Sequence, residues 1–144
     1  MDSFVVLSPI EVLRVRGSLS EGGPAAAFDR LEAKLPSIRH RRFYGMVQVL
    51  PEDVEYHACV ERRPDDDPAR MGLETACLPG GLYVRRKLND WPRLARTGQI
   101  PIQARDLIRR HSHDPGRPEL EFYRSHTELH LLVPVTNREE RAVS

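Results

Sequence analysis

Between Pro118 and Val135 the chain reads PELEFYRSHTELHLLVPV, and its apolar residues recur at every second position, the period of a β-strand rather than a helix. Ser125 and His126 mark the turn of a predicted hairpin. In its outgoing strand Leu129, Leu131, Val133 and Val135 share one face, and Glu128, His130 and Leu132 share the other. In the incoming strand Leu120 and Phe122 fall on one face while Glu119, Glu121 and Tyr123 fall on the other. A sheet surface carrying acids, a phenol and an imidazole is the expected result.

The segment from Phe43 to Val60 follows the same plan. Phe43-Tyr44 opens it as Phe122-Tyr123 closes the incoming strand of the other hairpin, and Glu55 and His57 stand where Glu128 and His130 do. The preceding strands also match, Leu13-Arg14-Val15-Arg16 against Leu82-Tyr83-Val84-Arg85, with a helical segment between strand and hairpin each time. The predicted order is β-α-β-β twice, a degenerate repeat of roughly 70 to 80 residues. The fold class is α+β: two modules, about 10–60 and 78–135, related by a pseudo-twofold axis in one antiparallel sheet with a central ligand groove.

The first strand runs from Ile10 to Arg16, with Phe4 to Leu7 extending it beyond Pro9. Gly17 to Gly23 is turn chemistry, and Pro24 suits the first turn of a helix, since it lacks an N–H that would go unpaired there. Ala27, Phe28, Leu31 and Leu35 then form an apolar stripe at helical spacing, which Pro36 stops. Strands follow at Phe43–Leu50, Val54–Val60, Glu74–Leu78 and Leu82–Leu88. Arg62 to Gly72, RRPDDDPARMG, is polar and punctuated by proline, so it reads as a solvated linker between the halves. A short turn at Trp91 to Ala95 precedes a helix on which Ala104, Leu107, Ile108 and His111 share a face. Residues 138–144 read as a frayed tail.

Composition narrows the function classes. A chain of 144 residues with 40% hydrophobic content is sized for a single domain, residues 1–144, with a real core. Lys plus Arg number 22 against 21 Asp plus Glu, so no global charge draws nucleic acid to it, and no direct nucleic-acid contact is expected. Arg39-His40-Arg41-Arg42 and Arg109-Arg110 read as solvated faces. Cys59 and Cys77 sit in apolar strand-like settings without metal-ligand spacing, which points to buried, reduced thiols. No metal and no cofactor is expected. The N-terminus lacks a signal-peptide pattern and no stretch has the length of a membrane span, so a soluble cytoplasmic protein without membrane contact is expected.

Leu120-Glu121-Phe122-Tyr123, then Thr127-Glu128-Leu129 and Val133-Pro134-Val135, together with Phe43-Tyr44-Gly45, Glu55 to Val60 and Leu78-Pro79-Gly80-Gly81-Leu82-Tyr83, resemble the GyrI-like proteins. That family is related to the effector-binding domains of AraC-type and MerR-type regulators such as Rob and BmrR. The resemblance covers Ile10 to Val135. It implies a groove of aromatic and aliphatic side chains with a buried acid, which binds planar, often cationic, hydrophobic molecules; the acids it carries over are Glu128 and Glu121. The chain departs from the family pattern between Leu88 and Ile102, where Asn89-Asp90-Trp91-Pro92 replaces a glycine-containing approach to the second helix. The repeat leaves no segment for a helix-turn-helix, so a stand-alone module is expected.

Three functions follow. The first is drug or toxin binding, with a hydrophobic or cationic aromatic small molecule as partner. Tyr44, Tyr56, Tyr83, Trp91, Phe122 and Tyr123 supply ring faces, and Glu128, Glu121 and His130 supply polar contacts. The second, available through the resemblance, is a hydrolase that opens the strained cyclopropane of DNA-alkylating natural products, with Glu128 and Glu121 as catalytic acid and base on neighbouring strands. The third is a protein-interaction module of the gyrase-inhibitor kind.

Overall fold

The alternating segments form one eight-stranded antiparallel sheet in a computed structural model that describes residues 2–20 and 22–136. The elements in order are β1 (Asp2–Leu7), β2 (Ile10–Gly17), α1 (Gly23–Ala33), β3 (Phe43–Val49), β4 (Val54–Glu61), α2 (Pro68–Met71), β5 (Glu74–Leu78), β6 (Gly81–Asn89), α3 (Trp91–Arg96), α4 (Gln99–Arg110), β7 (Glu119–Tyr123) and β8 (Glu128–Pro134). The strand order is β1-β6-β8-β7-β3-β4-β2-β5. Read outward from the β7–β3 seam, each half presents the same sequence of partners, so β2-α1-β3-β4 and β6-α-β7-β8 are the two repeats. The tail expected at 138–144 lies outside the described residues, and among the described residues no helix is long and apolar enough to cross a membrane.

The edges of the sheet differ from expectation. The segment Phe4 to Leu7 does not extend β2; it belongs to β1 at the far edge, antiparallel to β6, with Leu7 opposite Gly81 and Asp2 opposite Arg86. Its counterpart β5 pairs with β2, Ile10 opposite Leu78. Each edge strand therefore leads into one module and completes the sheet of the other. Pro9 causes this, because it has no N–H for a continuing ladder and fixes its φ, so the chain turns away there. The two connectors, Ser8-Pro9 and Pro79-Gly80, cross closely. A Cβ on Gly80 would stand 2.6 Å from the Leu7 carbonyl oxygen and 2.9 Å from Pro9 Cδ.

The two faces of the sheet are buried in different ways. On one face α1 lays Ala27 and Leu31 over Leu13, Ala58 and Val60, while α4 lays Leu107 over Leu129, Leu131 and Val133. On the other, Val5 of β1 and Leu78 of β5 join Val12, Tyr83, Leu120 and Leu132 in one cluster. Residues from opposite ends of the strand order meet there, so the sheet is curled. Cys59 is buried and burial pushes its thiol up to about 12, whereas Cys77, expected to be buried, is exposed on edge strand β5.

Two surface assignments are also corrected. Residues 62–72 are not a solvated linker throughout, because they contain α2, and the Asp66 carboxylate is held by Arg41 through hydrogen bonds of 2.7 and 2.8 Å. The two side chains are only 2% and 4% accessible, so Arg41 is no part of a solvated basic face. The β3–β4 hairpin brings the basic run beside the acidic one, and a buried charge persists only when paired.

Candidate functional site

Neither main helix lies over the middle of the sheet: α1 packs on β2 and β4, and α4 on β8. The β3–β7 seam between them is therefore the floor of a groove. Alternation and register decide which side chains reach it. Phe43, Gly45 and Val47 of β3 lie opposite Tyr123, Glu121 and Glu119 of β7, all on the helix side.

Gly45 makes room for the acid. A Cβ there would overlap Glu121 Oε1 and lie 2.7 Å from the Tyr56 hydroxyl, so the carboxyl occupies the place of the missing side chain. The Tyr123 hydroxyl donates to Glu121 Oε1 at 2.9 Å, and the Tyr56 hydroxyl, reaching over from β4, donates to the same atom at 3.4 Å. Phe28 of α1 meets the Tyr123 ring edge-on at 5.1 Å and also touches Phe43 and Tyr56, at 6.3 and 6.5 Å. From the other wall Trp91 meets Tyr123 edge-on at 5.1 Å. Trp91 is fixed there because its indole N–H donates to the Ser125 carbonyl at 3.0 Å and its backbone N–H to that of Thr127 at 3.2 Å. Five rings thus form one connected cluster beside the carboxyl, two of them bonding it through their hydroxyls. Phe28, Phe43, Trp91, Glu121 and Tyr123 all keep partial access to solvent.

No Lys, Arg or His among the described residues pairs with Glu121. Burial raises its pKa above the usual carboxylate range, against the two phenol hydrogen bonds, which lower it. Tyr56 and Tyr123 are both raised, first by burial and then by the charge of Glu121, so they remain protonated donors at neutral pH. Glu119, partly buried two positions away on the same face, is also raised by burial and by Glu121. Once ionised, such a carboxyl offers negative charge among ring faces with no cationic partner among the described residues, where both Coulomb attraction and ring quadrupoles favour a cation.

Of the residues singled out from sequence, Glu121, Tyr56, Tyr123 and Trp91 come together here, and the others do not. Tyr123 is in register with Leu129 and Phe122 with His130, so Glu128 and His130 lie on the opposite sheet face. There Glu128 accepts a hydrogen bond from His130 Nε2 at 2.5 Å, and this contact holds its carboxyl below the usual range. A division of acid and base work between Glu121 and Glu128 is ruled out, because the sheet stands between them. Tyr44 is also on that far face, stacked on Phe122 at 5.0 Å. Tyr83 donates to the Pro79 carbonyl at 2.6 Å beneath the Arg117 guanidinium, 4.9 Å from its ring centroid. The match of Phe43-Tyr44 to Phe122-Tyr123 is out of step in the sheet: Phe43 pairs with Tyr123 on one face and Tyr44 with Phe122 on the other. Phe28, Phe43, Gly45 and Glu119 join the site without having been among the candidate contacts, although alternation already places Glu119 on the face of Glu121. Phe28 was visible as part of the helical stripe, and Gly45 as a gap in the apolar alternation of β3.

No protein-family model and no curated protein matches the sequence. Solved structures match in fold. An integron cassette protein from Vibrio cholerae is 14% identical, with a TM-score of 0.62 over 94% of this chain and 95% of its own. The protein SAV2435, solved bound to tetraphenylphosphonium, is 10% identical, with a TM-score of 0.67 over 97% and 96%. A hydrolase from Listeria innocua is 10% identical, with a TM-score of 0.60 over 94% and 91%. These likenesses establish a shared fold across nearly the whole length of each chain.

Proposed function

We propose that this chain binds hydrophobic, planar, cationic small molecules in the groove between α1 and α3, as a drug- or toxin-sequestering module of the GyrI-like kind. The observation that carries this reading is the Glu121 carboxyl, seated in the space of Gly45, held by two phenols of an aromatic cluster and without a Lys, Arg or His partner among the described residues. The two phenols are neutral donors to the acid, and an arriving cation gains its charge without displacing a Lys or Arg of the described residues. The solved complex of SAV2435 supports the reading, since tetraphenylphosphonium is a lipophilic aromatic cation and the fold is shared.

The test is calorimetric titration with tetraphenylphosphonium, with triphenylphosphine oxide as a neutral control. The wild type should bind the cation saturably, and Glu121→Gln should weaken it by roughly 1.5 to 3 kcal/mol, the scale of a lost hydrogen-bonded charge, with the neutral compound little changed. Absence of saturable heat, or equal cation affinity in both proteins, overturns the reading.

A second reading has one observation in its favour. A carboxyl raised by burial and fixed by two phenols is suited to accept the proton of a water attacking an electrophilic, strained-ring substrate, with Glu121 alone as the base. Under it Glu121→Gln leaves substrate binding nearly intact and lowers turnover by roughly 100-fold or more.

A further inference from the structure

Glu119 is not used by the reading above, and its surroundings call for a role. It stands two positions before Glu121 on β7, so the two side chains share a face and their Cα atoms are about 6.6 Å apart, from a rise of about 3.3 Å per residue. Its cross-strand partner on β3 is Val47, and that of Glu121 is Gly45, so neither acid faces a cationic side chain across the seam. Glu119 is partly buried and, among the described residues, makes no side-chain hydrogen bond or ion pair. Beyond it the trough continues on the same face to the paired Val49 and Val54 at the β3–β4 hairpin tip, which are 57% and 43% exposed. The groove is thus a strip: aromatic rings at one end, then Glu121, then Glu119, then bare valines.

We propose that Glu119 and Glu121 form a two-anion site that selects flat aromatic dications over monocations of the same shape; this rests on the groove reading above and names its ligand class. A monocation seated against Glu121 leaves Glu119 unneutralised beside it. A dication whose charges are spaced as β7 spaces its acids neutralises both carboxylates and removes their mutual repulsion, which is largest where water is scarce. The apolar strip beyond Glu119 receives the second ring of such a ligand.

The experiment compares two ligands with the same two-ring frame, methyl viologen with two charges and N-methyl-4-phenylpyridinium with one, by calorimetry on the full chain. The wild type should bind methyl viologen about tenfold tighter. Glu119→Gln and, as a second variant, Glu119→Ala should each weaken methyl viologen more than the monocation, so that the tenfold preference falls to about one, with thermal melts confirming that both variants fold. If the monocation binds but the dication has no advantage, or if the advantage survives in folded Glu119 variants, the two-anion site is overturned and the groove reading stands. If wild type binds neither these ligands nor tetraphenylphosphonium, the groove reading falls and the two-anion site with it.

Discussion

Replacing Gly45 by alanine tests the seat of the acid directly, because local preference and the structure give opposite signs. Gly45 is an interior strand residue, where alanine is ordinarily more favourable by roughly 0.5 to 1 kcal/mol. Here the added methyl would overlap Glu121 Oε1 and press on the Tyr56 hydroxyl at 2.7 Å, so the carboxyl must leave its place and give up its phenol donors. Two hydrogen bonds to an acid are worth roughly 1.5 kcal/mol each. After the gain in strand preference is offset, Gly45→Ala should destabilise by about 2 kcal/mol, a fall in Tm of roughly 5 to 8 °C for a chain of this size. Urea titration and thermal melts of Gly45→Ala, Glu121→Ala and the double variant make the cycle. In the Glu121→Ala background Gly45→Ala should cost much less than it does in wild type, since the obstructing carboxylate and its two hydrogen bonds are already gone. A Gly45→Ala protein as stable as wild type, or a loss that Glu121→Ala does not relieve, would refute the seat described here.

Two more outcomes follow. The folded-state pKa of Glu121 is raised, so its contribution to stability is fully present below the ordinary value of about 4.5 and is lost as pH rises through the folded value; wild type should therefore lose stability relative to Glu121→Gln over that interval, while its affinity for tetraphenylphosphonium grows as the acid ionises. Urea melts and titrations at stepped pH would show a flat difference if the acid were solvated. At the Arg41–Asp66 pair, Arg41→Ala strands a buried carboxylate and should cost roughly 3 to 5 kcal/mol in a urea titration, and Arg41→Ala with Asp66→Ala should cost less than Arg41→Ala alone; additive losses would show the two charges to be independent.

Much of the fold was legible because strand pairing follows a period of two. The hairpin faces and the shared face of Glu121 and Tyr123 were readable from alternation, and the order β-α-β-β from the repeat together with the helical-period stripes. What alternation cannot reveal is which face the helices cover. Glu121 and Glu128 look equivalent in the sequence, each an acid among apolar strand residues. The turn between them contains four residues, Arg124 to Thr127, and with Tyr123 opposite Leu129 it sets the two acids on opposite faces. Gly45 was visible only as an interruption, and its meaning depends on lying opposite Glu121 across a seam formed by strands 76 positions apart. The Arg41–Asp66 pair and the exchanged edges were hidden for the same reason: both join residues distant in the chain, and local pattern carries no record of such partners.

The crossed edge strands also shape how the chain must fold. Neither half holds a complete sheet by itself, since residues 2–7 wait for 81–86 and residues 74–78 close against 10–14. The last pairings are among the most distant in sequence, which places the chain with slow-folding topologies of high contact order and ties the two repeats into one cooperative transition. Until the second repeat is in place, β1 is an unpaired strand on a two-residue tether, free to complete the edge of another copy instead. Refolding at high concentration should therefore favour dimers exchanged through that strand, and dilution should favour the monomer.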